Sequence, residues 1–393
     1  MINRRMLGLG KEPSAIRQLY AYGLQRKAEV GDENVYDLSI GNPSVPAPET
    51  VRSRIAELLD MPAAELHGYS MAAGLMEVRQ AVADNLHRRF GIAATAANVY
   101  MTTGATSALA IVFSALTQPG EQVIVNAPHF PEYKVLIETA GAECVRAPMR
   151  PDNFQLDIEA LDRAIVPQTA AVVVNSPNNP VGCVYTEETI RALGELMTAK
   201  EEEFGHTIYL ISDEPYREIT YGAEVPFVPN YYRDTVVCYS WAKSLSLPGE
   251  RIGYVYVSDN MPDAAETSAA VAGAGRALGN VCAPVLFQRV IQVCQEEPAD
   301  VEAYARNRKM LTEGLDELGY EYIEPDGAFY LWVRALEEDA QAFSDRAKAH
   351  DLLIVASDSF GCGGWVRCSY CVAPEVIEGS MKAWKALKED YAE

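Results

Sequence analysis

Lys243 is the residue equipped for covalent chemistry within Ser240-Trp241-Ala242-Lys243-Ser244-Leu245-Ser246-Leu247-Pro248-Gly249-Glu250-Arg251. A lysine used that way needs a partly desolvated pocket that lowers its pKa, and neighbours able to hold an anionic ligand. Ser240, Ser244, Ser246 and Arg251 have the chemistry of a phosphate seat. A surface lysine in a serine-rich loop would read the same locally, so the surrounding elements have to decide.

Those elements become regular from Asn98 onward, where short apolar runs alternate with amphipathic segments. Strands are expected over 99–103, 122–126, 143–147, 170–175, 207–212, 235–239 and 252–257, with helices such as 107–116, 157–165 and 187–203 between them. Ala170-Ala171-Val172-Val173-Val174 is apolar on both alternating faces, which suits a strand covered from both sides. The pattern implies an α/β fold with a mainly parallel seven-stranded sheet between helices. Ligands of such sheets bind beyond the carboxyl ends of the strands.

Reading the loops at those ends gives an inventory of chemistry. Thr103-Gly104-Ala105-Thr106-Ser107 is a small-residue turn opening a helix, and its free N–H groups suit a phosphate. It carries neither GxGxxG nor a Walker lysine, so a nucleotide is not indicated. Ala127-Pro128-His129-Phe130-Pro131-Glu132-Tyr133 offers flat rings at a cleft edge, and Asn175-Ser176-Pro177-Asn178-Asn179-Pro180-Val181-Gly182 offers amides. Asp213-Glu214-Pro215-Tyr216 adds a carboxylate and a phenol, and the next strand leads into Lys243.

Composition narrows the class further. The chain has 393 residues, 49% of them hydrophobic, enough for a large core and a second, smaller domain. A formal charge of −22 argues against a nucleic-acid groove, which needs a basic stripe. No apolar run is long enough to cross a bilayer, and the start, residues 1–10, lacks the apolar core of an export signal, so a cytoplasmic enzyme is expected. The eight cysteines are scattered and read as free thiols. Cys368 and Cys371, with Cys362 upstream, form the one CxxC; on a strand over 365–372 the pair would face opposite sides, so no metal is expected.

Before the sheet, Ser14 is a plausible cap for a helix over 15–29, and 35–40 reads as a short strand. The strand runs into a loop, 41–48, with three prolines, a connector that lines a cleft or merely links. Helices are expected over 50–59 and 74–90, with Tyr69 in the flexible turn between them. After the sheet, helices over 285–296, 299–318, 339–349 and 374–390 and strands over 320–323 and 329–333 read as a smaller α+β unit.

With these residues in order, the chain resembles the class I/II pyridoxal-phosphate-dependent aminotransferases of fold-type I, aspartate aminotransferase-like, over nearly its whole length. The resemblance rests on Asn179-Pro180-Val181-Gly182, Asp213-Glu214-Pro215-Tyr216 and Ser240-Trp241-Ala242-Lys243, followed by Arg251 and Arg367. The family usually has threonine where Val181 stands. It implies that Lys243 forms a Schiff base with pyridoxal 5′-phosphate and moves a proton at the substrate Cα. Asp213 would pair with the pyridine nitrogen, Asn179 and Tyr216 with the ring oxygen, and Phe130 would stack on the ring, with Tyr133 the less favoured stacker. Gly104, Ala105, Thr106, Ser240 and Arg251 would hold the phosphate, helped by Tyr69 from the other subunit of a homodimer. Arg367 would clamp the substrate carboxylate beside Gly41, with Asn179 also at the substrate.

The resemblance further implies ping-pong transfer of an amino group between an L-amino acid and a 2-oxo acid through a pyridoxamine intermediate, with aspartate one candidate donor. A cystathionine-type C–S β-lyase would use the same cofactor residues. Arg276, 25 residues beyond Arg251, is either a clamp for a distal carboxylate or a helix-surface arginine. The expected division is 1–48 as arm and part of the small domain, 49–284 as the large cofactor domain, and 285–393 as the rest of the small one.

Overall fold

Apolar alternation along the strands sorts the molecule into a seven-stranded sheet, a four-stranded sheet, a two-stranded pair and the helices that cover them. The computed structural model describes residues 2–392, so the outer boundaries expected at Met1 and Glu393 lie outside the described residues. In chain order the strands are β1 (Tyr36–Asp37), β2 (Val99–Thr102), β3 (Gln122–Ala127), β4 (Glu143–Pro148), β5 (Thr169–Asn175), β6 (Tyr209–Asp213), β7 (Thr235–Ser240), β8 (Gly253–Val257), β9 (Tyr322–Ile323), β10 (Tyr330–Arg334), β11 (Leu352–Leu353), β12 (Val355–Ala356) and β13 (Trp365–Ser369).

The main sheet has the order β2-β8-β7-β6-β5-β3-β4. β3, β4, β5, β6 and β7 run parallel, while β8 is antiparallel to both β2 and β7. Every residue of β5 is buried, as a strand covered on both faces requires. Val123, Val125, Ala171 and Val173 cluster with Leu109, Val112 and Phe113 of the helix Ala105–Leu116. Ile124, Val172 and Val174 cluster on the other face with Ile190, Leu193 and Met197 of the helix Glu187–Phe204. The period of two thus divides one apolar run between two helical layers.

Strand direction decides where the loops meet. The carboxyl ends of β2, β3, β5, β6 and β7 lie on one rim, and because β8 is reversed its first residue, Gly253, pairs with Ser240 and Thr102 on that same rim. Arg251, which precedes β8, therefore arrives beside Gly104 and Lys243 although it enters a strand rather than leaving one.

The second sheet, β12-β13-β10-β9, is antiparallel and packs with the helices Val301–Leu318, Ala340–Ala349 and Pro374–Glu389 around Phe329, Phe343 and Trp384. Tyr36 and Leu38 belong to this second core. The strand expected over 35–40 shrinks to β1, whose parallel pairing is Tyr36 with Leu352 and Asp37 with Leu353. Its continuation is not a strand because the Leu38, Ser39 and Gly41 carbonyls are taken by the Ser369 N–H, the Arg367 guanidinium and the Lys243 amine. Ser14 precedes the helix Ala15–Val30 without a capping bond from its side chain; the first turn closes through the Gln18 N–H on the Ser14 carbonyl. β13 ends at Ser369, so Cys371 lies past the strand, its Sγ 3.1 Å from the Ser369 hydroxyl, and all eight cysteines are free.

Candidate active site

Lys243 lies in a one-turn helix, Trp241–Ser244, started by the Ser240 hydroxyl, which accepts the Ala242 N–H at 3.1 Å. Its Nζ donates to the Gly41 carbonyl at 2.5 Å and lies 5.4 Å from the centre of the Phe329 ring. Burial lowers the pKa of this amine to about 8, and the positive charges of Arg367 and Arg251 push the same way, against an opposing effect of Cys371. Among the described residues no carboxylate forms an ion pair with it. A lysine in that state supplies a neutral amine near physiological pH.

Asp213, the last residue of β6, is buried and holds the opposite end of the site. Its Oδ2 accepts a hydrogen bond from the Tyr133 hydroxyl at 2.6 Å, and its Oδ1 is buried without any partner. Burial raises the pKa of the carboxyl to about 7; the Tyr133 bond lowers it and the adjacent Glu214 raises it. Glu214 is itself paired with Arg217 at 2.5 Å, an arginine packed against the stacked rings of Phe90 and Phe227. The unpartnered oxygen marks a place for a cationic N–H donor that the chain does not supply.

The amides expected after β5 form a lattice. Asn175 donates to the Asp213 carbonyl at 2.9 Å and accepts the Asn179 N–H at 2.7 Å. The Asn179 Oδ1 in turn accepts from Arg367 Nη1 at 2.9 Å. Arg367 is fully buried on β13, donates through Nη2 to the Ser39 carbonyl at 2.6 Å, and has its guanidinium over the rings of Tyr330 and Phe360, 4.5 and 5.1 Å from their centres. Its Nε has no partner, so a donor is left over for an incoming carboxylate. The Tyr216 and Tyr330 hydroxyls are 2.8 Å apart.

Gly104 caps the helix Ala105–Leu116 with φ +90° and no side-chain capping bond, which leaves the N–H groups of Ala105 and Thr106 in the open first turn. A Cβ on Gly104 would lie 2.8 Å from Arg251 Nη2, so the glycine is what lets the arginine cross the turn. A helix N-terminus and a guanidinium at one point form an anion seat. The Ser240 hydroxyl donates to the Ile252 carbonyl at 3.2 Å besides capping its own helix.

The expected residues Lys243, Asp213, Asn179, Tyr216, Arg367 and Gly41 are thus brought together, with Gly104, Ala105, Thr106, Ser240 and Arg251 along one side. Phe130 is half-buried and meets Tyr133 edge-on, ring centres 5.6 Å apart. Tyr69 is not joined to this cluster: it is 98% exposed. Arg276 is also exposed, in the last turn of the helix Ala264–Ala277. Val181, where the family usually has threonine, is completely buried. Tyr133 was considered for stacking; its hydroxyl instead serves Asp213. No local signal separates the two roles, since Phe130 lies before the helix Glu132–Ala140 that carries Tyr133 and the bond to Asp213 is made between distant segments. Tyr330 lies within the apolar run 329–333 and carries no local mark of a site residue. Among the described residues no cluster of three or more His, Cys, Asp or Glu is arranged to hold a metal, and no helix is long and apolar enough to cross a membrane.

The fold and site define an α/β enzyme in which a buried amine faces an anion seat on one side and a lone carboxylate oxygen on the other. Residues 33–383 match the family described as aminotransferase class I and II, and the chain belongs to that family. It is 32% identical over 389 residues to the probable aspartate/prephenate aminotransferase of Thermus aquaticus, covering 94% of this chain and 95% of that protein. Among solved structures, an amino transferase from Eubacterium rectale superposes with a TM-score of 0.97 at 52% identity over the whole of both chains. Aspartate aminotransferase from Thermus thermophilus with maleate superposes at 0.86, with 28% identity over 98% of this chain and 99% of that one. The protein is a pyridoxal-phosphate-dependent aminotransferase, acting on amino and 2-oxo acids.

Proposed function

We infer that the protein transfers an amino group between an L-amino acid and a 2-oxo acid, with Lys243 as the covalent and proton-moving residue. The observation that carries the reading is the buried Oδ1 of Asp213, unpartnered while Tyr133 holds Oδ2. That geometry fits pyridoxal phosphate, whose ring nitrogen is the missing cationic donor. When bound, the cofactor supplies an aldehyde carbon that takes up the amino group and a ring that withdraws electrons from Cα.

The chain's own residues do the rest. Asp213 would hold the ring nitrogen protonated, and a positive charge there would favour its ionised carboxylate against the effect of burial. Asn179 and Tyr216 bind the ring oxygen, Phe130 covers the ring face, and Gly104, Ala105, Thr106, Ser240 and Arg251 hold the phosphate. Arg367 receives the substrate carboxylate through its free Nε and orients the Cα–H toward Lys243. Lys243 Nζ, neutral in an appreciable fraction at pH 8, would take that proton from Cα. Gly41 offers its backbone beside the same carboxylate.

Tyr69 reaches the phosphate of a second subunit in a homodimer, a role its nearly complete exposure in one chain supports. The division into a small domain, 1–48 with 285–393, and a large one, 49–284, is supported by the membership of Tyr36 and Leu38 in the second core, whereas Val290, Ile291 and Cys294 of the helix Val285–Cys294 cluster with Val51, Leu58, Val78 and Val82 of the large one. Eight free cysteines support action in the reducing cytoplasm. Aspartate is the first donor to test, since the Thermus aquaticus relative is named for aspartate and prephenate. The test is a panel of amino donors with 2-oxoglutarate, pyruvate and oxaloacetate, scored by oxo-acid formation; release of ammonia without transfer from every donor would refute the reading.

A further inference from the structure

Tyr330 touches three parts of the site at once. Its hydroxyl is 2.8 Å from that of Tyr216, and its ring lies under the Arg367 guanidinium at 4.5 Å. A Cβ built on Gly41 would overlap that hydroxyl, so the phenol presses on the backbone whose carbonyl binds Lys243. Phe329 packs edge-on to Tyr216 at 5.4 Å and leaves its phenol little room to turn.

A phenol has one proton to give. Among the described residues the Tyr330 hydroxyl has one hydrogen-bond partner, Tyr216, and Tyr216 has no other. If Tyr216 spends its proton on the cofactor's ring oxygen, Tyr330 must be the donor within the pair. We propose that Tyr330 is a positioning residue whose hydroxyl proton, committed to Tyr216, fixes the Tyr216 hydroxyl as a donor toward that ring oxygen. The proposal rests on the role given to Tyr216 above. A donor whose own oxygen accepts a hydrogen bond is polarised and gives a stronger bond onward. The charged and titratable groups around the pair are Arg367, Asp213, Cys371, Lys243 and Tyr133, whose own hydroxyl donates to Asp213, and none of them takes either hydroxyl proton.

Titration of the visible absorption of the bound cofactor with pH tests this in the holoenzyme. A donor on the ring oxygen draws charge away from the neighbouring proton on the Lys243 nitrogen, so losing the donor raises the midpoint. Tyr216→Phe is expected to raise it, and Tyr330→Phe, which keeps the ring under Arg367, to raise it by about 0.5 pH unit. The double variant should titrate like Tyr216→Phe alone, because Tyr330 acts through Tyr216. A Tyr330→Phe midpoint equal to that of the unaltered protein, or a double variant shifted by the sum of the two single shifts, would overturn the proposal. Failure of the unaltered protein to take up a coloured cofactor would instead overturn the cofactor reading, and this inference with it.

Discussion

The Tyr133 hydroxyl donates to Asp213 Oδ2 at 2.6 Å across 80 residues of chain, and both side chains are buried. The bond occupies one carboxylate oxygen and aims the other, so cofactor affinity depends on a residue that need not touch the cofactor. Tyr133→Phe leaves both oxygens unpartnered and lets the carboxyl rotate. The expected result is a cofactor Kd raised about tenfold, the loss of roughly one charge-assisted hydrogen bond. Titration of the protein with pyridoxal phosphate, followed by absorption, measures it.

Asp213 also makes the cofactor-free protein pH-sensitive. Its folded pKa, about 7, lies above the ordinary 3.8, so the folded state binds the proton more tightly than the unfolded chain. Its contribution is fully present below the ordinary value and is lost as pH rises through about 7. Asp213→Asn is therefore expected to stabilise the cofactor-free fold at pH 8 by about 1–4 kcal/mol, with the gain vanishing toward pH 4. Thermal melts of both cofactor-free proteins across that range check it; a constant difference at all pH values would refute the linkage.

Arg367 and substrate binding separate from cofactor binding. Arg367→Lys keeps the charge but loses the planar fork held by Asn179 and Ser39. KM is expected to rise about 10–100-fold for the amino acid and the oxo acid alike. Steady-state kinetics with both substrates, beside a cofactor titration that moves far less because Arg367 reaches the cofactor only through Asn179, is the check.

A site shared between two subunits would make complementation possible. If Tyr69 serves the partner's phosphate, a hybrid dimer of Lys243→Ala and Tyr69→Ala subunits contains one intact site. Unfolding and refolding the two variants together should give more activity than the sum of the two alone. Strictly additive activity would place Tyr69 outside the partner's site.

Much of this was legible because each functional loop follows an apolar run that can only be a strand, so Asn179, Asp213 and Lys243 could be placed on one rim before any distance was known. The reversal of β8, which returns Arg251 to that rim, left no local mark. Neither did the pairing of Tyr216 with Tyr330: it depends on the register that sets Tyr330 against Ser369, a tertiary fact. Residues 38–40 misled for a related reason, since their apolar alternation is that of a strand while the Leu38 and Ser39 carbonyls bind the Ser369 N–H and the Arg367 guanidinium of the distant β13.

Borohydride reduction of the protein incubated with pyridoxal phosphate, followed by peptide mass analysis, asks the central question directly. The expected result is a yellow protein whose reduced cofactor is fixed on Lys243, with Asp213→Asn greatly weakening its uptake. A colourless protein with Lys243 unmodified, or a label spread over surface lysines and indifferent to Asp213, would contradict the account.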